Sequence, residues 1–292
     1  MKKLFNKKES MPDDMIDGFV NAYPKIVKKG KHPRVVLRVS KKHKSKVSLI
    51  IGNGSGHEPI AMGFVGEGIL DANIVGDVFT APSADLIFEG IKEAYNEAGS
   101  ILLISRHEGD VINGNAACLL AEEEGMDVKP LLMYDDISSA PKGKENDRRG
   151  AAGTIFIYKI LGAASEEGLS IEDLFSLGEK VRSNTRTLGV AIKSGISPIT
   201  NKPMFTLPDD EVFIGMGVHG EPGVARKKLS SVKDLVTFMM NKILKDRNIE
   251  SKSKVVTPGT ICSSSINKVS FTIWPAQYNF SISELFFKNI IL

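Results

Sequence analysis

V-S-L-I-I-G-N-G-S-G-H-E-P, residues 47–59, runs from a short apolar stretch straight into a glycine-rich turn that ends in a histidine. A brief apolar run bounded by turn residues and rich in β-branched side chains predicts a buried strand. Similar runs occupy residues 35–39, 101–104 and 128–133. Helical patterns lie between them. Residues 83–98 open on Pro-Ser, a good N-cap, and carry apolar side chains at Leu86, Ile87, Ile91, Ala94 and Tyr95. Residues 115–124, 153–167, 171–186 and 231–245 are similar. Strands alternating with helices of this length predict an α/β layered fold with a mixed, largely parallel sheet.

In such sheets ligands gather beyond the carboxyl ends of the strands, and three motifs fall there. G-N-G-S-G-H follows residues 47–51, R-H-E-G-D (residues 106–110) follows 101–104, and G-V-H-G (residues 217–220) follows 212–214. Gly52, Gly54 and Gly56 are spaced G-x-G-x-G, which is neither the dinucleotide fingerprint nor a P-loop. They could cradle a phosphate or simply turn the chain. Asp110 reads as a general base for a hydroxyl or as an acidic residue serving a helix N-terminus. His219, among glycines, is displayed for access, and neutral imidazole acts as base or nucleophile at pH 7. His57, His107, Asp110 and His219 have the side chains of a zinc or iron site, but no H-E-x-x-H spacing supports one. Spacing alone supports a small-molecule site built from three strand-end loops.

The 292 residues suggest two domains, with a boundary near the Pro/Gly/Ser/Thr-rich passage after residue 184. The expected division is 1–185 and 186–292. The sequence contains no apolar run of about 18 residues and no signal-peptide pattern at residues 1–10, so neither a membrane nor an export role is expected and the cytoplasm is the default. Cys118 and Cys262 form no C-x-x-C. Residues 1–46 hold fourteen Lys or Arg against four acidic residues. That excess reads as a docking face or as a solvated helix and edge strand. Without interleaved aromatics or a recognisable motif, nucleic acid is not expected.

Four motifs in order, G-N-G-S-G-H-E-P, G-D-V-F-T-A-P-S (residues 76–83), E-G-D-V-I-N (residues 108–113) and G-M-G-V-H-G-E-P-G (residues 215–223), resemble the substrate-binding subunit of the dihydroxyacetone kinase family, from residue 1 to about 255. The resemblance implies that His219 holds the substrate carbonyl as a covalent hemiaminal and that Asp110 is the base on the hydroxyl to be phosphorylated. It implies that His57 binds and activates the ketone, and that Gly54, Ser55, Gly56, Arg106 and His107 meet the substrate. The chain would bind no cofactor itself. ATP or ADP with Mg would sit on a nucleotide-binding partner subunit, fed by ATP or by a phosphotransferase-system protein, and a homodimer is expected. Many members carry K-N-Y-x-G-D where this chain has S-R-H-E-G-D, so the preferred ketose could be four-carbon. After about residue 256 the family pattern is lost apart from S-I-S-E-L-F-F (residues 281–287), which reads as a truncated second domain. The alternative is a ketose-sensing paralogue acting as a transcriptional co-activator.

Overall fold

The apolar run of residues 47–51 does become a buried strand, but the strand continues through the glycines to Ser55. The computed structural model describes residues 4–40 and 43–247, and the backbone of three further strands between 255 and 275. The chain runs α1 (Met11–Ala22), β1 (Val27–Lys29), β2 (Val35–Arg38), β3 (Ser48–Ser55), β4 (Ala72–Val78), α2 (Ala84–Ala94), β5 (Ser100–Ser105), α3 (Glu108–Glu123) and β6 (Val128–Met133). It continues with α4 (Thr154–Glu166), α5 (Ile171–Asn184), β7 (Arg186–Ala191), β8 (Glu211–Ile214), β9 (Ala225–Lys228) and α6 (Val232–Arg247). The last strands are β10 (Val255–Val256), β11 (Ile261–Ser263) and β12 (Lys268–Pro275).

The first sheet has the order β1-β2-β4-β3-β5-β6. Its centre is parallel: β3 pairs with β4 and β5, and β5 with β6, while β1 and β2 close the edge antiparallel. Strand alternation divides the core between two layers. Leu49 and Ile51 pack with Phe156, Leu161, Leu174 and Val181 of α4 and α5. Ile50, between them, faces Ile87 and Ile91 of α2 and Ala117 and Ala121 of α3. Full burial of each such aliphatic contributes about 1.5–3 kcal/mol, so a register slip of one residue would exchange both layers at once.

The second sheet, β10-β12-β7-β8-β9 with β11 on β12, differs from the largely parallel expectation: each of its described pairings is antiparallel. Parallel neighbours need a crossover of a dozen or more residues, usually a helix, and β8 instead turns back into β9 within residues 215–224. Leu188, Val190, Val212 and Ile214 pack there against Met239 and Ile243 of α6.

β1, β4, β7 and β9 add to the strands expected from sequence. A-R-K-K of β9 is wholly exposed and has no apolar alternation; its basic side chains suit a sheet edge. Helix α3 starts at Glu108, seven residues before the periodic segment, so R-H-E-G-D enters a helix instead of closing a loop. Of the amino-terminal basic residues, Lys29, Arg34, Arg38 and Lys46 form internal ion pairs. Arg38 and Lys46, both buried, share Asp71 at 3.1 and 3.0 Å, Arg38 also meets Glu166, and Arg34 bridges Asp13 and Asp77. Residues 257–260 and 276–292, including the fragment 281–287, lie outside the described residues, as does most of the tail expected to be atypical.

The two sheets are stitched together beside α6. Arg148, fully buried, forms a bidentate pair with Asp246 at 2.6 and 2.9 Å, and Arg186 of β7 donates to the same carboxylate at 2.8 Å. Thr187 N donates to Asp135 O at 2.7 Å, and Ile137 N to Thr187 O at 3.0 Å, so the chain leaving β6 pairs locally with β7. These contacts carry the carboxyl end of β8 to the carboxyl ends of β3 and β5.

Candidate active site

Residues from all three strand ends line one cavity of about 570 Å³. Gly54 and His57 come from β3 and its exit, Arg106, His107 and Asp110 from the β5–α3 junction, and His219 and Glu221 from the turn after β8. Phe79, Thr80 and Ala81 of the G-D-V-F-T-A-P-S turn close one side. That turn lies against Gly54: a Cβ there would stand 2.7 Å from Thr80 N, so the strand and the turn can meet only at glycine. Ser55 and Gly56 lie elsewhere. They line a neighbouring, larger cavity of about 1130 Å³, Gly56 N donates to Glu58 at 3.0 and 3.1 Å, and the buried Ser55 Oγ has no partner among the described residues. Alternation separates Ser55 from Gly54, since consecutive residues of a strand face opposite sides, whereas Gly56 lies beyond the end of β3 at positive φ, where the chain turns away.

Three imidazoles meet at His219. Its Nε2 lies 3.0 Å from His57 Nε2, and its ring centroid is 4.8 Å from that of His57 and 5.0 Å from that of His107. The Phe79 ring packs edge-on at 5.8 Å. On the other side Glu221 accepts from the His219 backbone N–H at 2.9 Å and stands 3.0 Å from Nδ1. Burial opposes charge on Glu221, but the His219 hydrogen bonds outweigh it and hold the carboxyl well below the usual carboxylate range. An ionised Glu221 can only accept. The proton of a neutral His219 therefore lies on Nδ1, its Nε2 presents a lone pair, and His57 must donate through Nε2. The assignment follows from the hydrogen-bond pattern.

Electrostatics keep the other rings uncharged. Burial, then the neighbouring His219 and His107, lowers His57 to about 3; burial, then His219, lowers His107 to about 4. Asp110 sits in the first turn of α3, only 9% exposed, and burial pushes it up to about 7, with His219 opposing part of the rise. A carboxyl poised near neutrality inside a cavity is suited to taking a proton from a hydroxyl. Arg106 reaches Asp147 at 3.5 Å from the cavity wall.

Sequence reasoning gave no role to Glu221 or Arg149. Arg149 donates to Asp136 at 2.9 Å and to Gly215 O at 3.3 Å, and its other terminal nitrogen is 3.9 Å from Glu221. A Cβ at Gly217 would collide with both the Glu221 carboxylate and the Arg149 guanidinium. Glu-Pro follows each of the two histidine motifs, so Glu221 had a visible signal. Glu58 in the matching place bonds to the Gly56 backbone instead, so the pattern could not say which glutamate serves its ring. Arg149 had no local signal at all, being 70 residues from His219.

Residues 17–263 match the Dak1 domain. The chain belongs to the Dak1 family. Among relatives of this Dak1 chain, the dihydroxyacetone-binding subunit DhaK of a PTS-dependent dihydroxyacetone kinase from Listeria innocua is 40% identical over 256 residues, covering 88% of the chain and 78% of the relative. A D-erythrulose kinase from Mycolicibacterium smegmatis is 37% identical over 85% of the chain and 42% of its own length. Two solved structures are each 27% identical. The dihydroxyacetone kinase of C. freundii with AMP-PNP and Mg2+ superposes with a TM-score of 0.84 over 97% of this chain and 59% of its own. The dihydroxyacetone kinase operon co-activator Dha-DhaQ superposes at 0.82 over 92% and 93%. The Dak1 architecture thus serves both a kinase and a co-activator. No helix among the described residues is long and apolar enough to cross a membrane.

Proposed function

We propose that this chain is the ketose-binding subunit of a small-ketose kinase, holding dihydroxyacetone or a four-carbon ketose on His219. The observation that carries the reading is the His219 ring, fixed by Glu221 so that an unprotonated Nε2 faces the cavity and His57. The Nε2 lone pair adds to the carbonyl carbon, forming the C–N bond as the carbonyl π pair moves to oxygen. The positive charge developing on the ring faces ionised Glu221, and the negative charge on oxygen faces the His57 N–H in place of the present 3.0 Å contact. A triose buries too little surface for selectivity by contact alone. The covalent bond selects ketones over polyols and brings the terminal hydroxyl within reach of Asp110, which takes its proton.

The donor is ATP with Mg on a nucleotide-binding partner in the cytoplasm, either drawn from solution or formed on the partner when held ADP accepts a phosphoryl group from a phosphotransferase-system protein. When bound it supplies the phosphoryl group and the charge neutralisation that phosphoryl transfer needs. The candidate metal-ligand group among the described residues, His107, His219 and Glu221, is rich in imidazole and does not suit Mg2+. Mg on the partner fits that chemistry better. The likeness to Dha-DhaQ supports a second reading, a ketose sensor without transfer activity.

A carbon-13 spectrum of [2-13C]dihydroxyacetone with the chain distinguishes these. The carbonyl signal should give way to a tetrahedral-carbon signal with wild type and persist with His219→Ala. An unchanged carbonyl signal with folded wild type would remove the covalent reading. An adduct without phosphorylation, in the presence of an active partner subunit, would favour the sensor.

A further inference from the structure

His107, which the resemblance implies meets the substrate, adds a feature beyond that contact. Its Nδ1 stands 3.8 Å from Glu221 Oε1, the same oxygen that lies 3.0 Å from His219 Nδ1. Donor atoms of His107, His219 and Glu221 all lie within 4.8 Å of one another. We propose that these three residues bind a zinc-class divalent ion, and that the ion shuts the ketose site.

Two imidazoles and one carboxylate with an open fourth position are a set that Zn2+ and Co2+ accept. Bonds of about 2.0–2.2 Å in a tetrahedron place ligand atoms roughly 3.3–3.5 Å apart, and the observed 3.0 and 3.8 Å bracket that spacing. The remaining pair closes by rotation of rings that are only partly buried. Arg149 lies 3.9 Å from Glu221, but Asp136 at 2.9 Å matches its charge, so this corner of the cavity keeps a net negative charge from Glu221.

The ion would act through the tautomer. A metal on Nδ1 of His219 leaves the neutral ring's single proton on Nε2, moved there by exchange with water. The lone pair that adds to the carbonyl is then gone, while the ion itself sits behind the ring. The ion site stands on geometry alone; the blockade rests on the ketose reading.

The test is a calorimetric titration with ZnCl2, and an optical spectrum with Co2+, of wild type, His107→Phe and Glu221→Gln, each checked for folding by circular dichroism. One ion per chain, tetrahedral Co2+ bands and at least a tenfold loss of affinity in both variants are expected. Equal affinity in folded His107→Phe would assign the ion elsewhere, such as His32 or His43, and overturn the site. If that variant does not fold, Glu221→Gln and the Co2+ bands decide in the same way. One equivalent of Zn2+ should then abolish the tetrahedral-carbon signal of [2-13C]dihydroxyacetone, and EDTA should restore it. A full signal with Zn2+ bound would sink the blockade and leave the site. No signal with or without Zn2+ would be a failure of the ketose reading, with the ion site still judged by the titration.

Discussion

Asp110, proposed above as the base, carries a cost in stability. Burial raises its carboxyl to about 7 from an unfolded value of 3.8. The folded state therefore holds a proton that the unfolded chain has lost between those pH values. Stability falls as pH rises through that window and stays low above it. Asp110→Asn should lift unfolding free energy at pH 8 by something on the order of 1–4 kcal/mol and leave it unchanged below about pH 4. Urea melts at the two pH values read this directly. In the kinase assay with a partner subunit, wild-type turnover should climb with pH and level off above about 7, whereas the Asn variant stays low and flat. A gain in stability together with retained turnover would free Asp110 from the role of base. The residue itself was legible as a strand-end acid. Its place at a helix N-terminus was one of its two sequence readings, but the start of α3 at Glu108 was not legible, because the first turn reads E-G-D without apolar periodicity.

At the scale of elements, the site depends on how the second sheet is held against the first. Asp246 of α6 is the shared acceptor for buried Arg148 and for Arg186 of β7. Asp246→Asn removes the charge between two guanidinium groups and should cost about 3–5 kcal/mol in a urea melt. Because the same contacts seat the turn bearing His219, ketose affinity should fall as well. A loss below about 1 kcal/mol would mean that the carbonyls of Ala140, Ser183 and Thr185, already hydrogen-bonded to these arginines, satisfy them. Neither arginine stands out in sequence: one lies in a loop, and the other falls in the helical pattern 171–186, although α5 ends at Asn184 and Arg186 opens β7. A-N-I-V-G-D-V of β4 was missed for a related reason. A glycine and an aspartate interrupt its apolar run, and two neighbouring strands supply the pairing that its own composition does not signal.

Across the whole molecule, a ketose on His219 would link loops from both sheets, with His57 and Asp110 on one and His219 on the other. Saturating ketose should therefore stabilise the entire chain, by about 2.7 kcal/mol at a hundred times Kd. Glycerol, which has no carbonyl to attack, should leave the melting temperature where it is. Differential scanning calorimetry with dihydroxyacetone, erythrulose and glycerol tests this, and equal shifts for all three would point to non-covalent binding. The amino-acid sequence by itself determined the alternating α/β pattern of the first sheet and the three strand ends, because apolar periodicity and glycine placement are local and need no partner to be read. It also marked His57, Asp110 and His219, whose glycine-framed or strand-end settings are local too. Tertiary structure alone decided the antiparallel second sheet, the exclusion of Ser55 and Gly56 from the cavity, and the Glu221–Arg149–Asp136 chain behind His219. Those depend on which strands pair and which face a side chain takes, choices made by contacts between distant segments, such as His57 and His219, 162 residues apart.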